Sequence, residues 1–79
     1  MAFPKTEVEW ADRTARHLKV ELKKAEITYE QLAKKMKSHG FSETKGSITN
    51  KLARGTFPAP FYLAALVAIG LKNIPLGDV

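Results

Sequence analysis

Cysteine is absent from the 79 residues, so a disulfide framework, the cysteine-bearing zinc sets and a thiol nucleophile are all excluded. Histidine is scarce: His17 and His39 stand far apart, with no glycine-rich phosphate loop, Ser/His/Asp order or multi-histidine spacing around them. The expectation is a binding protein with no cofactor and no metal, not an enzyme. No segment approaches ~18 consecutive apolar residues, and the opening MAFPKTEVEW lacks the apolar stretch of a signal peptide. The chain is therefore expected to have no membrane partner and to stay in the cytoplasm. Aromatic residues make up 9 % of the chain and form no obvious surface run for stacking bases, which ranks RNA behind duplex DNA as a ligand.

What is present is an apolar fraction of 44 % beside 27 % charged residues, the balance of a small globular domain. A chain this short must use nearly all its apolar side chains in one core to offset backbone ordering. Residues 1–79 are therefore read as one domain, with 1–6 as a flexible arm and 77–79 as a tail. The net charge of +5 is unevenly held. Residues 1–27 carry six basic and five acidic side chains, residues 28–57 six and two, and residues 58–79 one of each. An excess concentrated in the middle third suits a polyanion, although a solvated face produces the same count.

Val8, Ala11, Ala15, Leu18 and Leu22 recur at spacings of three and four, which predicts a helix from about Glu7 to Lys24 with His17 on its charged side. Trp10 lies off that stripe and is read either as a partner contact or as a cover over the arm near Phe3. At Thr28 a helix begins, because Gln31 stands three residues later in capping-box order. Leu32, Ala33 and Met36 form its inner face, Lys34, Lys35 and Lys37 point outward, and Gly40 stops it. A polar turn over 41–46 leads to a third helix whose start is open. Ile48 and Leu52 face inward there, Ser47 caps the helix or meets a phosphate, and Gly55 closes it. Pro58 and Pro60 bracket a fourth helix in which Leu63, Leu66, Val67 and Ile69 are expected to pack inward.

The order of an amphipathic first helix, a capped second helix containing Leu32-Ala33, a polar turn and Ile48-Thr49-Asn50-Lys51-Leu52-Ala53-Arg54-Gly55 resembles a helix-turn-helix of the phage-repressor or Xre-like class. That resemblance implies an all-α, compact four- to five-helix, lambda-repressor-like domain. It also implies that Thr49, Asn50 and Lys51 face the major groove while Thr28, Gln31, Lys45, Ser47 and Arg54 meet phosphates or the groove's border. Lys34 joins them as an outward cation. One departure is concrete: Leu32 and Ile48 are 16 positions apart, more than a short-turn pair allows, so an extended turn is expected near Lys37–Gly46. Over nearly the whole chain, Trp10 through Leu22, Ile27 through Ala33, Asn50 through Phe57 and Phe61 through Gly70 also resemble a family of mainly bacterial domains of unknown function, number 6471.

The chemistry of these side chains is independent of either family. Asn forms paired hydrogen bonds with adenine, Lys donates to guanine, and Thr offers a hydroxyl and a methyl group. Equally, Asn50 can serve as a local cap, Lys51 as a solvated cation and Thr49 as an ordinary exposed residue. The expected function is duplex-DNA binding by a transcriptional regulator or nucleoid-associated protein. It would act as a homodimer that spaces two third helices about 34–36 Å apart, with Trp10, Phe61 and Tyr62 as candidate interface residues. The alternative is a protein-interaction or antitoxin-like regulatory subunit that uses the same scaffold to hold a protein partner without touching DNA.

Overall fold

The computed structural model describes residues 3–79; Met1 and Ala2, the start of the expected arm, lie outside the described residues. Four α-helices follow one another, α1 (Glu7–Lys24), α2 (Tyr29–Met36), α3 (Lys45–Arg54) and α4 (Ala59–Ala68). Single 3₁₀ turns extend α2 at Lys37–His39 and close the chain at Leu76–Asp78, and no strand occurs among the described residues.

Side chains set the helix starts. The Thr6 hydroxyl accepts from the Glu9 amide at 3.1 Å, and Glu7 and Glu9 place negative charge at the positive end of α1. Thr28 and Gln31 complete the expected capping box, each side chain accepting from the other's amide, at 3.1 and 2.9 Å. A second box settles the open start of α3: Thr44 is the cap, and Ser47 is its third-residue partner, at 3.0 and 2.9 Å.

Three helix exits share one closure. After α1, Glu26 donates to the Lys23 carbonyl and Ile27 to that of Leu22; Gly40 with Phe41 and Gly70 with Leu71 repeat the pattern. This is the paired bonding of a Schellman motif, and in each case the apolar residue that follows, Ile27, Phe41 or Leu71, packs against the core. The motif requires a left-handed residue, supplied by Gly40 at φ 85° and Gly70 at φ 96° but by Glu26 at φ 56° after α1. A side chain in that region costs about 1–2 kcal/mol, partly offset by glycine's larger entropy when unfolded. Glu26→Gly is therefore expected to stabilise the fold by about 0.5–1 kcal/mol, read as a higher urea midpoint at unchanged slope; a lower midpoint would contradict this strained exit.

The core joins Ala15, Leu18 and Leu22 of α1, Leu32, Ala33 and Met36 of α2, Ile48 and Leu52 of α3, and Phe61, Ala65 and Leu66 of α4. Packing between elements runs mainly α2 on α3, α2 on α4 and α1 on α4. Three expectations are corrected. Val8 is exposed, on a side of the first turn of α1 away from Trp10 and its neighbours. Leu63 and Val67 are 56 % and 55 % exposed, and α4 instead turns Phe61 and Ala65 inward. Its side chains are apolar all round, so periodicity could not select the buried face. Finally, His17 is only 6 % exposed rather than on the charged side of α1, because residues 71–78 fold back past it. Val79, expected as part of a tail, gives its carbonyl oxygen to Arg13 Nε and Nη2 at 3.3 and 3.2 Å.

Candidate nucleic-acid interface

Helical spacing divides α3 into two arcs. Ile48 and Leu52 face the core, whereas Lys45, Gly46, Thr49, Asn50, Ala53 and Arg54 are all exposed. These six fall within about half the helix circumference at 100° per residue. The exposed arc therefore has a cation at either end and small or polar side chains between. The Thr49 hydroxyl donates back to the Lys45 carbonyl at 2.8 Å, which leaves the oxygen's lone pairs free to accept. Lys34 and Lys35 on α2 and Lys37 in the following 3₁₀ turn are also exposed. Lys35 and Lys37 share with Lys34 both this exposure and the sequence signal for it, lysines on the outward side of the helix.

Lys51 occupies a different place from the one its resemblance implied. It lies four residues after Ser47, one turn along the same side of α3, and both reach Glu43. Lys51 Nζ lies 3.0 and 3.2 Å from the two Glu43 carboxylate oxygens, and Ser47 Oγ donates to Oε1 at 2.6 Å. Both charged side chains are largely screened from water, and the ammonium also stands 5.3 Å from the centre of the Phe61 ring. The cluster clamps the extended connection, residues 37–44, to the helix that it precedes. The Ser47 hydroxyl is thus spent on the cap and on Glu43, and the Lys51 ammonium on Glu43. The i,i+4 relation of residues 47 and 51, with an acid four residues before Ser47, was the signal available in the sequence.

Because Lys51 and Glu43 neutralise each other, the double substitution Lys51→Met with Glu43→Gln is expected to leave nucleic-acid affinity within about twofold and to shift stability by under ~1.5 kcal/mol. Lys51→Met alone is expected to cost more stability than the double variant, since it leaves Glu43 unpaired. Urea unfolding of the two variants compares them. A single variant as stable as the double would remove the clamp from this account.

Thr28 and Gln31 sit at the exposed start of α2 with the oxygens of both side chains already accepting backbone amides. Once the Lys51–Glu43 pair is set aside, residues 28–57 retain exposed Lys34, Lys35, Lys37, Lys45 and Arg54 against exposed Glu30. None of these five cations forms an ion pair among the described residues.

The candidate interface residues separate. Phe61 is 1 % exposed and packs against Phe41 and Phe57, so it belongs to the core and is corrected as a surface contact. Tyr62 is half-buried, its hydroxyl 2.8 Å from His17 Nδ1, while His17 Nε2 stands 3.8 Å from Glu21. Burial, and then the nearby Glu21 carboxylate, push the Tyr62 hydroxyl's pKa above its ordinary value, so it remains a neutral bridge between α4 and α1. Trp10 is exposed and stacks on Phe3 with ring centres 6.1 Å apart. With Tyr62, Ile74 and Leu76 these two line an apolar cleft of about 410 Å³. Among the described residues, no group of three His, Cys, Asp or Glu is placed to hold a metal ion and no helix is long and apolar enough to cross a membrane.

Residues 10–74 match the sequence model of a family described as a domain of unknown function, DUF6471. No curated protein and no solved structure matches the chain.

Proposed function

The chain belongs to the DUF6471 family, and from that footing we propose that it binds duplex DNA through the α2–α3 surface, as a regulator or nucleoid-associated protein of the lambda-repressor-like helix-turn-helix kind. One observation carries the reading: the outward arc of α3 combines Lys45 and Arg54 at its ends with Gly46, Thr49, Asn50 and Ala53 between them. Small side chains let a helix approach base edges, Thr and Asn supply hydrogen-bonding groups suited to them, and flanking cations suit phosphates. Lys34, Lys35 and Lys37 add exposed positive charge on α2 and its 3₁₀ turn. Lys51 is left out of the base-reading set because its ammonium is held by Glu43, which leaves Thr49 and Asn50 as the proposed readers.

The connection between α2 and α3 is longer than the turn of roughly 3–4 residues in a helix-turn-helix. The Glu43–Ser47–Lys51 clamp gives that longer connection a fixed path, as a groove-reading helix requires. A homodimer would double the phosphate contacts and impose a two-fold symmetric site. A second reading, capture of a protein partner without DNA, is favoured by the apolar cleft beside Trp10.

The deciding experiment is fluorescence anisotropy of mixed-sequence duplex DNA at two salt concentrations with matched RNA as competitor. Saturable binding that weakens as salt rises, and that RNA displaces poorly, is the expected result. No binding at ~50 mM salt and high micromolar protein would overturn the reading in favour of the protein partner.

A further inference from the structure

We infer that Arg16 and Lys19 of α1 hold a backbone phosphate of the DNA in a recess beside the end of α3, an assignment that rests on the duplex-DNA reading of α3. Asp12, Arg16 and Lys19 line this recess of about 240 Å³ together with Leu52 and Ala53 of α3 and Gly55 at its exit. The three α1 residues are spaced by four and three, so they form one stripe, and all are exposed. Ala53 belongs to the outward arc of α3, so the stripe and the arc share a border. A Cβ on Gly55 would stand 4.0 Å from Asp12 Oδ1, which puts α1 about one side chain from the end of α3.

Charge identifies the ligand. Of the other cations on α1, Arg13 is held by the Val79 carbonyl, Lys24 lies 3.4 Å from Glu21, and Lys23 stands outside the recess. Arg16 and Lys19 form no ion pair among the described residues. Asp12 is the one acid in the lining, so cations outnumber it two to one and an anion is favoured there. A guanidinium offers paired N–H donors that match phosphate oxygens, and an ammonium adds a point charge. A helix lying in the major groove has a sugar-phosphate backbone on either side of it. Cations beside the reading helix, rather than on it, meet those phosphates and fix its register without reading sequence.

Anisotropy titrations of a mixed-sequence duplex across a salt series test the recess, with helicity of each variant checked by circular dichroism. Arg16→Gln with Lys19→Gln should weaken binding about tenfold at low salt and flatten the slope of log affinity against log salt by about 1, the signature of one lost phosphate contact. Lys5→Gln with Lys72→Gln, the same loss of charge at exposed sites outside the recess, should cost less than about threefold. Asp12→Asn should act in the opposite direction and tighten binding about threefold. Replacing chloride with inorganic phosphate at equal ionic strength should leave wild-type affinity within about twofold, since a free ion lacks the contacts of α3 that hold the strand. Equal losses from the two double variants would overturn the recess while the α3 reading stands, provided that Lys45→Gln with Arg54→Gln still weakens binding. If only the Arg16 and Lys19 pair mattered, the recess would stand and the α3 reading would fall. No binding by the wild type would overturn both, and inorganic phosphate that displaced DNA from the wild type but not from the Arg16 and Lys19 variant would reassign the recess to the free ion.

Discussion

Replacing Phe61 with alanine is expected to destabilise the protein by about 3–5 kcal/mol and to abolish most of its cooperative unfolding at 37 °C. Phe61 is 1 % exposed and is among the largest fully buried side chains. Its ring meets Phe57 at 5.3 Å and Phe41 at 6.4 Å between centres, while Lys51 lies over one side. Removing it empties the junction between α4, the connection before α3 and the loop before α4. A domain of this size has a net stability of only several kcal/mol, so a single cavity of that size consumes most of it. Phe61→Leu retains most of the volume and is expected to remain folded, at a cost of about 1–2 kcal/mol. Urea unfolding followed by circular dichroism measures both. If Phe61→Ala lost less than ~1 kcal/mol, the ring would not be the core element described here, and its surface role would return.

The second large effect concerns charge. Neutralising Lys34, Lys45 and Arg54 together by substitution with Gln is expected to weaken duplex-DNA binding on the order of a hundredfold at low salt. It should also flatten the slope of log affinity against log salt by about 2–3. The same loss of net charge at Lys5, Lys23 and Lys72, which are exposed elsewhere, should reduce affinity less than about fivefold, since those sites contribute only long-range attraction. Stability should change little in either set, because exposed substitutions usually lie within about ±0.5 kcal/mol each. Anisotropy titrations of both triple variants across a salt series make the comparison. Equal losses from the two sets would mean that the chain attracts DNA through its overall charge and that α3 is not the reading element.

Within the site, legibility followed the kind of interaction. Thr49, Asn50 and Arg54 were visible as outward residues because helical spacing relative to Ile48 and Leu52 leaves them exposed, whereas Lys45 entered through the resemblance. Lys51 was read with them on the same spacing and on the resemblance, although its rotation about the helix places it with Ser47. Its ion pair brings in Glu43, a residue before the helix begins, and the path of that connection depends on how α3 docks on α2. Lys35 and Lys37 were read as outward beside Lys34, and the structure leaves all three exposed.

The sequence by itself determined the features that depend on neighbours along the chain. The Thr28–Gln31 box, the stops at Gly40 and Gly55, the proline-bracketed start of α4 and the inward stripe of Ala15, Leu18 and Leu22 all follow from contacts within a few residues. The family relation was legible for the same reason, since its likeness rests on those ordered segments. Only the tertiary structure decided which side of α4 is buried, why Leu63 and Val67 are exposed, and how residues 71–78 enclose His17 against Tyr62. An apolar helix carries no polar side to orient it, and a histidine among charged neighbours carries no sign of the distant segment that will cover it. Those choices are made by packing between elements, where burial and hydrogen bonding across long sequence separations outweigh the local pattern.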